Sequence, residues 1–262
     1  MNDLVHSPVL AALGPYDLEL LARRAVPRRL VAGERLYLAG ERSNRTHVVV
    51  SGAVKLVARD LQGREAIVCL ALPGEIIGDW AAIDGGPQPL DAVAAIKTLV
   101  VGFDATLFVE VLARSPAAAL ALARAMARRM RWISDAAVQR TVGDVPARLA
   151  GSLLDLAGAL GANRRGALEV ELPVRQGDLA RLSGMCRESA CKTLSSFRSR
   201  GLLEYRGRRL RILRPDVLEA IRCGATGSQE LPASAQLRAP RADTVNTDGE
   251  AGRRALGPHP GL

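Results

Sequence analysis

The amino-acid sequence predicts an α+β protein with an antiparallel, β-rich first half, a long central helix, and a C-terminal half in which two short helices precede a hairpin. Three observations give this prediction. Short apolar runs with regularly spaced glycines fill residues 26–103, an uninterrupted helical pattern fills residues 115–141, and two helical patterns flank a glycine within residues 175–199. The chain of 262 residues is long enough for two domains.

Residues 1–114 form the predicted β-rich domain, which begins with a short helical lead-in. From Gly33 to Gly74 the turn glycines recur every seven to twelve residues, which is the spacing of a small antiparallel sandwich or barrel. Gly63 falls in a predicted hairpin turn. The clearest predicted strands are residues 47–50, 53–57 and 66–70.

Residues 115–142 are predicted to form one helix that joins the two halves. Pro116 suits its first turn. Its apolar stripe consists of Leu122, Met126, Ile133 and Ala137, and Met130 adjoins the stripe. A short stripe usually packs against the protein's own core, but this one is more than six turns long and lies between two domains. We therefore favour a parallel homodimer seam over plain core packing.

Residues 143–223 form the predicted C-terminal domain. Asp144 can cap its first helix and Pro146 suits the first turn of that helix. Further along, two helical patterns are separated by Gly184, and the second runs over about residues 186–199. Their buried faces are predicted from Leu179 and Leu182, and from Ala190, Leu194 and Phe197. This is the helix-turn-helix pattern, in which the second helix enters the major groove of DNA.

The segment after the second helix alternates around Gly207, as a small hairpin or wing does, so we predict a winged helix-turn-helix. Residues 186–214 hold nine Arg or Lys and two Glu, a balance of +7 within a chain whose net charge is +9. A basic cluster of this kind is typical of a protein that binds the phosphate backbone.

The polar face of the second helix carries residue types that read DNA bases. Arg187 can pair with both acceptors of a guanine edge, and Glu188 can accept a hydrogen bond from a cytosine amino group. Lys192 lies about 1.4 turns beyond Arg187 and can reach a neighbouring base or phosphate. The alternative is a surface helix whose charges are only solvated, and the preceding helix, the turn and the basic segment argue against it.

This stretch resembles the C-terminal half of the Crp–Fnr superfamily of bacterial transcription factors, the cyclic-AMP receptor protein and fumarate–nitrate regulator type. The matching positions are Gln176, Asp178, Leu179, Ala180, Gly184, Arg187, Glu188, Ser189, Ala190, Cys191 and Lys192. The resemblance implies that Arg187, Glu188 and Lys192 read bases and that Gln176 contacts the DNA backbone. Ser189 completes the predicted set of DNA-binding residues. Lys192 replaces an Arg of the family and cannot form a bidentate fork, which leaves the exact operator open.

The first half resembles the cyclic-nucleotide-binding β-roll of the same family, a jelly roll. The matching marks are Ala32-Gly33-Glu34, Val50-x-Gly52-x-Val54 and Pro73-Gly74-Glu75-x-x-Gly78. In nucleotide-binding members an Arg-Ser pair holds the cyclic phosphate. Here that pair maps to Leu90-Asp91, and burying an anion beside Asp91 without a cation costs on the order of several kcal/mol. We therefore expect that cyclic AMP does not bind in that mode.

The β-roll then has two interpretations, a dimer scaffold without a ligand or a pocket for another, unknown effector. The candidate pocket residues are Gly78, Asp79, Trp80, Leu90 and Asp91.

Cys186 and Cys191 lie in or beside the predicted DNA-facing helix, too far apart for a disulfide within a helix. They are either small residues without a chemical role or a redox brake, in which oxidation to sulfinate places a negative group against phosphate. With Cys69 and Cys223 they match neither a zinc spacing nor the clustered cysteines of iron–sulfur members. We predict no metal, haem or other cofactor.

Other function classes have little support in the sequence. The three histidines are far apart and no nucleophile–base pair is visible, so we expect no enzyme. No apolar run approaches a membrane span and no signal pattern precedes the domain, so we expect a cytoplasmic protein without a membrane partner. Residues 224–262 lack an apolar period and are predicted to be disordered, as a solvated extension or an additional nonspecific DNA contact.

The sequence thus predicts a homodimeric, sequence-specific transcriptional regulator whose partner is double-stranded DNA. The resemblance adds RNA polymerase as a second partner. The alternative is a ligand-sensing scaffold that acts through protein partners and binds nucleic acid only nonspecifically.

Overall fold

The computed structural model describes residues 6–42, 44–160, 162–164 and 167–224, and it confirms the predicted α+β class. The predicted disordered tail lies, after Gly224, outside the described residues. The helices are α1 (Pro8–Ala11), α2 (Pro15–Arg23), α3 (Asp79–Asp84), α4 (Ala105–Arg114), α5 (Pro116–Val142), α6 (Val145–Leu160), α7 (Gln176–Leu182), α8 (Arg187–Ser199) and α9 (Pro215–Arg222). The strands are β1 (Val26–Leu30), β2 (Arg35–Tyr37), β3 (Arg45–Ser51), β4 (Val54–Arg59), β5 (Glu65–Ala71), β6 (Ile76–Ile77), β7 (Asp91–Ala94), β8 (Thr98–Asp104), β9 (Ala162–Arg164), β10 (Ala167–Glu171), β11 (Leu203–Arg206) and β12 (Arg209–Ile212).

Two antiparallel sheets, with strand orders β1-β8-β3-β6 and β2-β7-β4-β5, form the predicted β-roll. Apolar side chains from both sheets, among them Val49, Leu56 and Val100, fill the space between them. Gly52 makes the turn between β3 and β4 at a φ of +84°, and a Cβ there would lie 2.5 Å from the Lys97 carbonyl oxygen. Only glycine fits that position without a shift of the backbone.

The helices of the first half cover the outer face of one sheet, where Phe103 and Phe108 are fully buried. The Asp104 side chain caps α4 by accepting a hydrogen bond from the Leu107 N–H at 2.9 Å. Ser115 caps α5 in the same way, and Pro116 occupies the first turn of α5 as predicted.

The predicted stripe of α5 does not form a continuous exposed seam. Leu122 is buried in the core beneath the β-roll, and Met126 and Ile133 pack against core residues of their own chain, whereas Ala137 is exposed. The large exposed apolar residues of α5 lie outside this stripe, at Leu120 and Met130 among others. Helical periodicity correctly predicted which residues share one face of α5, but it could not predict whether that face packs on the protein's own core or on a second copy.

The C-terminal domain is built from α6–α9 and a sheet of order β11-β12-β10-β9. Asp144 caps α6 as predicted, since its carboxylate accepts a hydrogen bond from the Ala147 N–H at 2.8 Å. The wing is the hairpin of β11 and β12, with Gly207 at a φ of +64° in its turn. Leu149, Leu153 and Phe197 belong to the core that joins the helices to this sheet.

Among the described residues no single helix is both long and apolar enough to cross a membrane. Only α4 and α5 taken together, with a bend of 116° between them, meet the requirement of length and composition.

Candidate DNA-binding site

The turn between α7 and α8 depends on Gly184. The residue has a φ of +64°, which non-glycine residues rarely adopt, and the hydrogen bond from the Met185 N–H to the Ala180 carbonyl at 3.0 Å closes the turn. Cys186 then takes an extended conformation as the N-cap of α8. The helix-turn-helix predicted from the sequence is thus present.

Helix α8 buries one apolar face and leaves its charged residues exposed. Its buried side chains are Ala190, Thr193, Leu194 and Phe197. Glu188 and Lys192 are exposed on the opposite side, and Arg187, the first residue of the helix, is exposed beside the apolar face. The three residues predicted to read bases are therefore all open to solvent, and the apolar set holds the helix in place.

The carboxylate of Glu188 is suited to accept hydrogen bonds. Its pKa is lowered, mainly by a hydrogen bond with its own backbone N–H in the first turn of α8 and further by the Cys186 side chain. Arg187 and Lys192 lower it slightly more. Glu188 is therefore ionised at neutral pH.

Ser189 and Gln176 are less accessible than the other predicted contact residues. Both are half-buried. The Ser189 hydroxyl lies 3.1 Å from the Cys186 thiol, and its carbonyl accepts a hydrogen bond from the Thr193 hydroxyl at 2.9 Å. Gln176 is the first residue of α7.

Part of the basic surface is neutralised within the chain. Arg208 pairs with Glu171, Arg211 with Glu204 and Arg214 with Asp216. Within the described part of the chain, the following basic residues have no acidic group within 4.0 Å: Arg187, Lys192, Arg198, Arg200, Arg206 and Arg209. These residues supply the positive charge that remains near α8 and the wing.

An open groove runs between α8 and the wing. Arg198, Tyr205 and Arg206 line it, together with Ser195 and Ser199. Arg198 and Arg206 were not among the residues predicted individually from the sequence. The basic run over residues 186–214 was the signal that contained them, but the run alone does not show which of its members face one groove.

Four of the five predicted effector-pocket residues line one small cavity in the β-roll. They are Gly78, Asp79, Trp80 and Leu90. Asp91 does not line this cavity, which corrects the prediction. Its carboxylate is buried, accepts a hydrogen bond from the Ala39 N–H at 2.8 Å, and lies 3.3 Å from the Arg59 guanidinium.

The cavity also contains a cation that sequence reasoning missed. Arg129 of α5 places Nη1 3.1 and 3.2 Å from the two carboxylate oxygens of Asp79. Its guanidinium carbon lies over the Trp80 ring, 5.8 Å from the ring centroid. Burial raises the pKa of Asp79, and Arg129 opposes that rise. Arg129 lies seven residues, about two helical turns, after Leu122, so both side chains face the same side of α5. This spacing was the signal in the sequence that could have located Arg129 at the cavity.

The cysteines remain separate in the structure. Cys186 and Cys223 are exposed, Cys191 is half-buried and Cys69 is buried, and all four are free thiols. Within the described residues, no group of three His, Cys, Asp or Glu side chains could hold a metal ion.

Both halves of the chain are similar to domains of known proteins. Residues 27–115 match the cyclic nucleotide-binding domain, and residues 147–221 match the Crp-like helix-turn-helix domain. The CRP-like cAMP-activated global transcriptional regulator of Mycobacterium tuberculosis is 28% identical over 205 residues, which are 78% of this chain and 92% of the relative. The transcriptional regulator LdrP of Thermus thermophilus is 30% identical over 193 residues, 73% of this chain and 94% of the relative.

A solved structure of a related protein has a similar fold. The crystal structure of a CRP-family transcriptional regulator from Thermus thermophilus aligns with a TM-score of 0.61 and 28% identity. The alignment covers 75% of this chain and 96% of that one.

Proposed function

Since the chain belongs to the Crp–Fnr family of DNA-binding transcriptional regulators, we propose that it acts as a homodimer on a near-palindromic operator. Like its relatives it is a transcriptional regulator and not an enzyme. In this proposal α8 of each copy lies in the major groove, and the two helices contact half-sites about 34 Å apart, which is one turn of DNA.

The observation that carries the proposal is the open charged face of α8. Arg187, Glu188 and Lys192 are exposed, while the apolar face of α8 packs in the core. We assign base reading to these three residues, with Arg187 on a guanine and Glu188 on a cytosine. Gln176 and Ser189 are assigned supporting contacts, and Arg198 and Arg206 phosphate contacts along the groove beside the wing.

Helix α5 is the proposed dimer interface. Leu120 and Met130 leave 52% and 62% of their surface exposed, and Val138 leaves 58%. Several large apolar side chains exposed along one helix form a surface that a partner can cover. Small residues lie between them, at Ala123, Ala127 and Ala137, and allow a second copy of α5 to approach closely.

Cyclic AMP is not the proposed signal, although the relative from Mycobacterium tuberculosis is named as cAMP-activated. Leu90 lines the cavity where a phosphate-binding Arg is expected, and Asp91 pairs with Arg59 instead of lining it. The guanidinium of Arg129 is already neutralised by Asp79. The β-roll then serves as a dimer scaffold or responds to a different effector in the cavity beside Trp80.

The remaining assignments follow from this function. Residues 1–114 act as the effector-type domain, 115–142 as the dimerisation helix and 143–223 as the DNA-binding domain. We place the protein in the cytoplasm, where it has access to DNA and RNA polymerase. Cys186 and Cys191 keep both interpretations, small residues without a chemical role or a redox brake. The redox brake is wrong if peroxide inhibits the Cys186→Ser, Cys191→Ser double variant as strongly as the natural chain.

Selection of bound sequences from a random DNA pool tests the proposed function. The natural protein is expected to enrich one near-palindromic site. The Arg187→Ala, Glu188→Ala double variant should lose this preference and keep nonspecific binding, because phosphate contacts are unchanged. A scaffold that binds nucleic acid only nonspecifically would enrich no site with either protein.

A further inference from the structure

A largely buried ion pair joins the C-terminal domain to the β-roll. Lys55 of β4 places its Nζ 3.0 Å from the carboxylate of Asp178, in the first turn of α7, and each side chain is only 12% exposed. The two residues are 123 positions apart in the chain. A buried charge is costly without its partner, so each of these residues favours the arrangement in which the domains stay in contact.

A second contact brings three elements together at Arg140, near the C-terminal end of α5. Its Nη2 donates hydrogen bonds to the Ile67 carbonyl of β5 and to the Leu182 carbonyl at the end of α7, both at 3.1 Å. The stem of Arg140 packs under Gly184, where a Cβ would lie 3.1 Å from its Cγ. The turn of the helix-turn-helix therefore lies directly on the α5 side chain.

Apolar packing supports these polar contacts. Val57 and Ile67 of the β-roll belong to the same buried cluster as Leu179 and Leu182 of α7. By contrast, Arg181 and Glu65 at the edge of this contact are 3.5 Å apart and partly exposed, so that ion pair contributes little.

The contact leaves the proposed DNA-binding face free. Lys55, Asp178 and Arg140 hold α7, whereas Arg187 and Lys192 of α8 are exposed. The contact therefore holds α7 without covering the exposed residues of α8. A contact that masked the base-reading residues would instead have buried them.

We propose that Lys55, Asp178 and Arg140 are positioning residues for DNA binding, which hold α7 against the β-roll and so set the direction of α8. The inference rests on the proposed function, because two α8 helices must meet half-sites at a fixed spacing. If the contact loosens, only a fraction of dimers has both helices correctly aimed, and the apparent dissociation constant rises in inverse proportion to that fraction.

The Lys55→Met variant tests this inference, since Lys55 lies on β4 and not on the DNA-binding domain. Couplings of this kind correspond to roughly 2- to 30-fold in affinity, and we expect operator affinity to fall by about 10-fold. Nonspecific affinity should stay within about 2-fold, because no proposed phosphate contact is removed. Arg140→Met should act in the same direction, while Lys55→Arg should restore most of the affinity.

Distance measurement between spin labels gives a readout that does not depend on DNA. With the native cysteines replaced by Ser, labels at Gln62, in the turn between β4 and β5, and at Arg200, just after α8, report the relation of the two domains. The distribution of distances between the labels should be narrow in the protein that keeps Lys55 and broad in the Lys55→Met variant. Arg181→Met is the matched control, because it removes the longer, half-exposed ion pairs with Glu65 and Asp178 and leaves the Lys55–Asp178 pair in place. It should change neither distance nor affinity.

The outcomes separate the two proposals. Unchanged distances and unchanged operator affinity in both Lys55→Met and Arg140→Met would overturn the inference, and so would tighter binding, which would make the contact inhibitory. If the natural protein shows no operator preference but Lys55→Met still broadens the distances, the proposed function fails and the domain contact stands.

Discussion

The cavity of the β-roll and the charged face of α8 both contain Arg beside an acidic residue, but the two regions use these charges differently. In the β-roll, Arg129 and Asp79 are almost fully buried and neutralise each other. On α8, Arg187 and Glu188 are exposed, and no ion pair joins them.

The difference shows that residue type alone does not make a binding group. A buried pair stabilises the position of α5 on the β-roll because each charge would be costly alone. Exposed charges contribute little to folding and stay available to a partner. Substitutions at the first site should therefore change stability, and substitutions at the second should change DNA binding.

The largest effect is expected for Arg129→Met, which leaves the Asp79 carboxylate buried without its cation. Breaking a buried pair costs about 3–5 kcal/mol, so the free energy of unfolding in urea should fall by that amount. Adding Asp79→Leu removes both charges and should recover much of the loss.

Arg128→Met is the matched control, because Arg128 is the preceding residue of α5 and is exposed. Its effect should remain within about 0.5 kcal/mol. Equal losses at positions 128 and 129 would contradict the role assigned to the buried pair.

Next in size is Arg187→Ala, which removes the proposed bidentate contact with guanine. Operator affinity should fall by about 1–3 kcal/mol, and discrimination at that base pair should relax. Fluorescence anisotropy with matched and mismatched operators measures both effects. Arg200→Ala is the control, since Arg200 is exposed and lies just beyond the end of α8. It should leave discrimination between matched and mismatched operators unchanged. An equal loss of discrimination in Arg200→Ala would argue against base reading by Arg187.

A smaller effect is expected for Arg198→Ala and Arg206→Ala, which line the groove beside the wing. Each should weaken binding uniformly across sequences and reduce the slope of log affinity against log salt concentration by about 1. Titrations between low and moderate salt give this slope. Replacing Arg208, which already pairs with Glu171, should change the slope less.

The smallest expected effect is that of cyclic AMP on the natural chain, which should leave the melting temperature unchanged. A ligand present at 100 times its dissociation constant stabilises a protein by about 2.7 kcal/mol, enough to raise that temperature by several degrees. A shift of this size would show that the β-roll binds the nucleotide despite Leu90 and Asp91.

The sequence was sufficient where structure depends on neighbouring residues. The faces of α8, the turn at Gly184 and the cap at Asp144 each involve residues only a few positions apart, and all three are present as predicted. The fold class followed from the same local patterns together with the family resemblance.

Tertiary structure alone decided which surfaces meet. Asp79 and Arg129 are 50 positions apart, and Asp91 bonds to a backbone N–H 52 positions away. Periodicity placed Leu122 and Ile133 on one face of α5, but only the folded chain showed that these two side chains cover its own core. Local patterns fix which residues share a face, whereas the partner of that face depends on how distant segments pack.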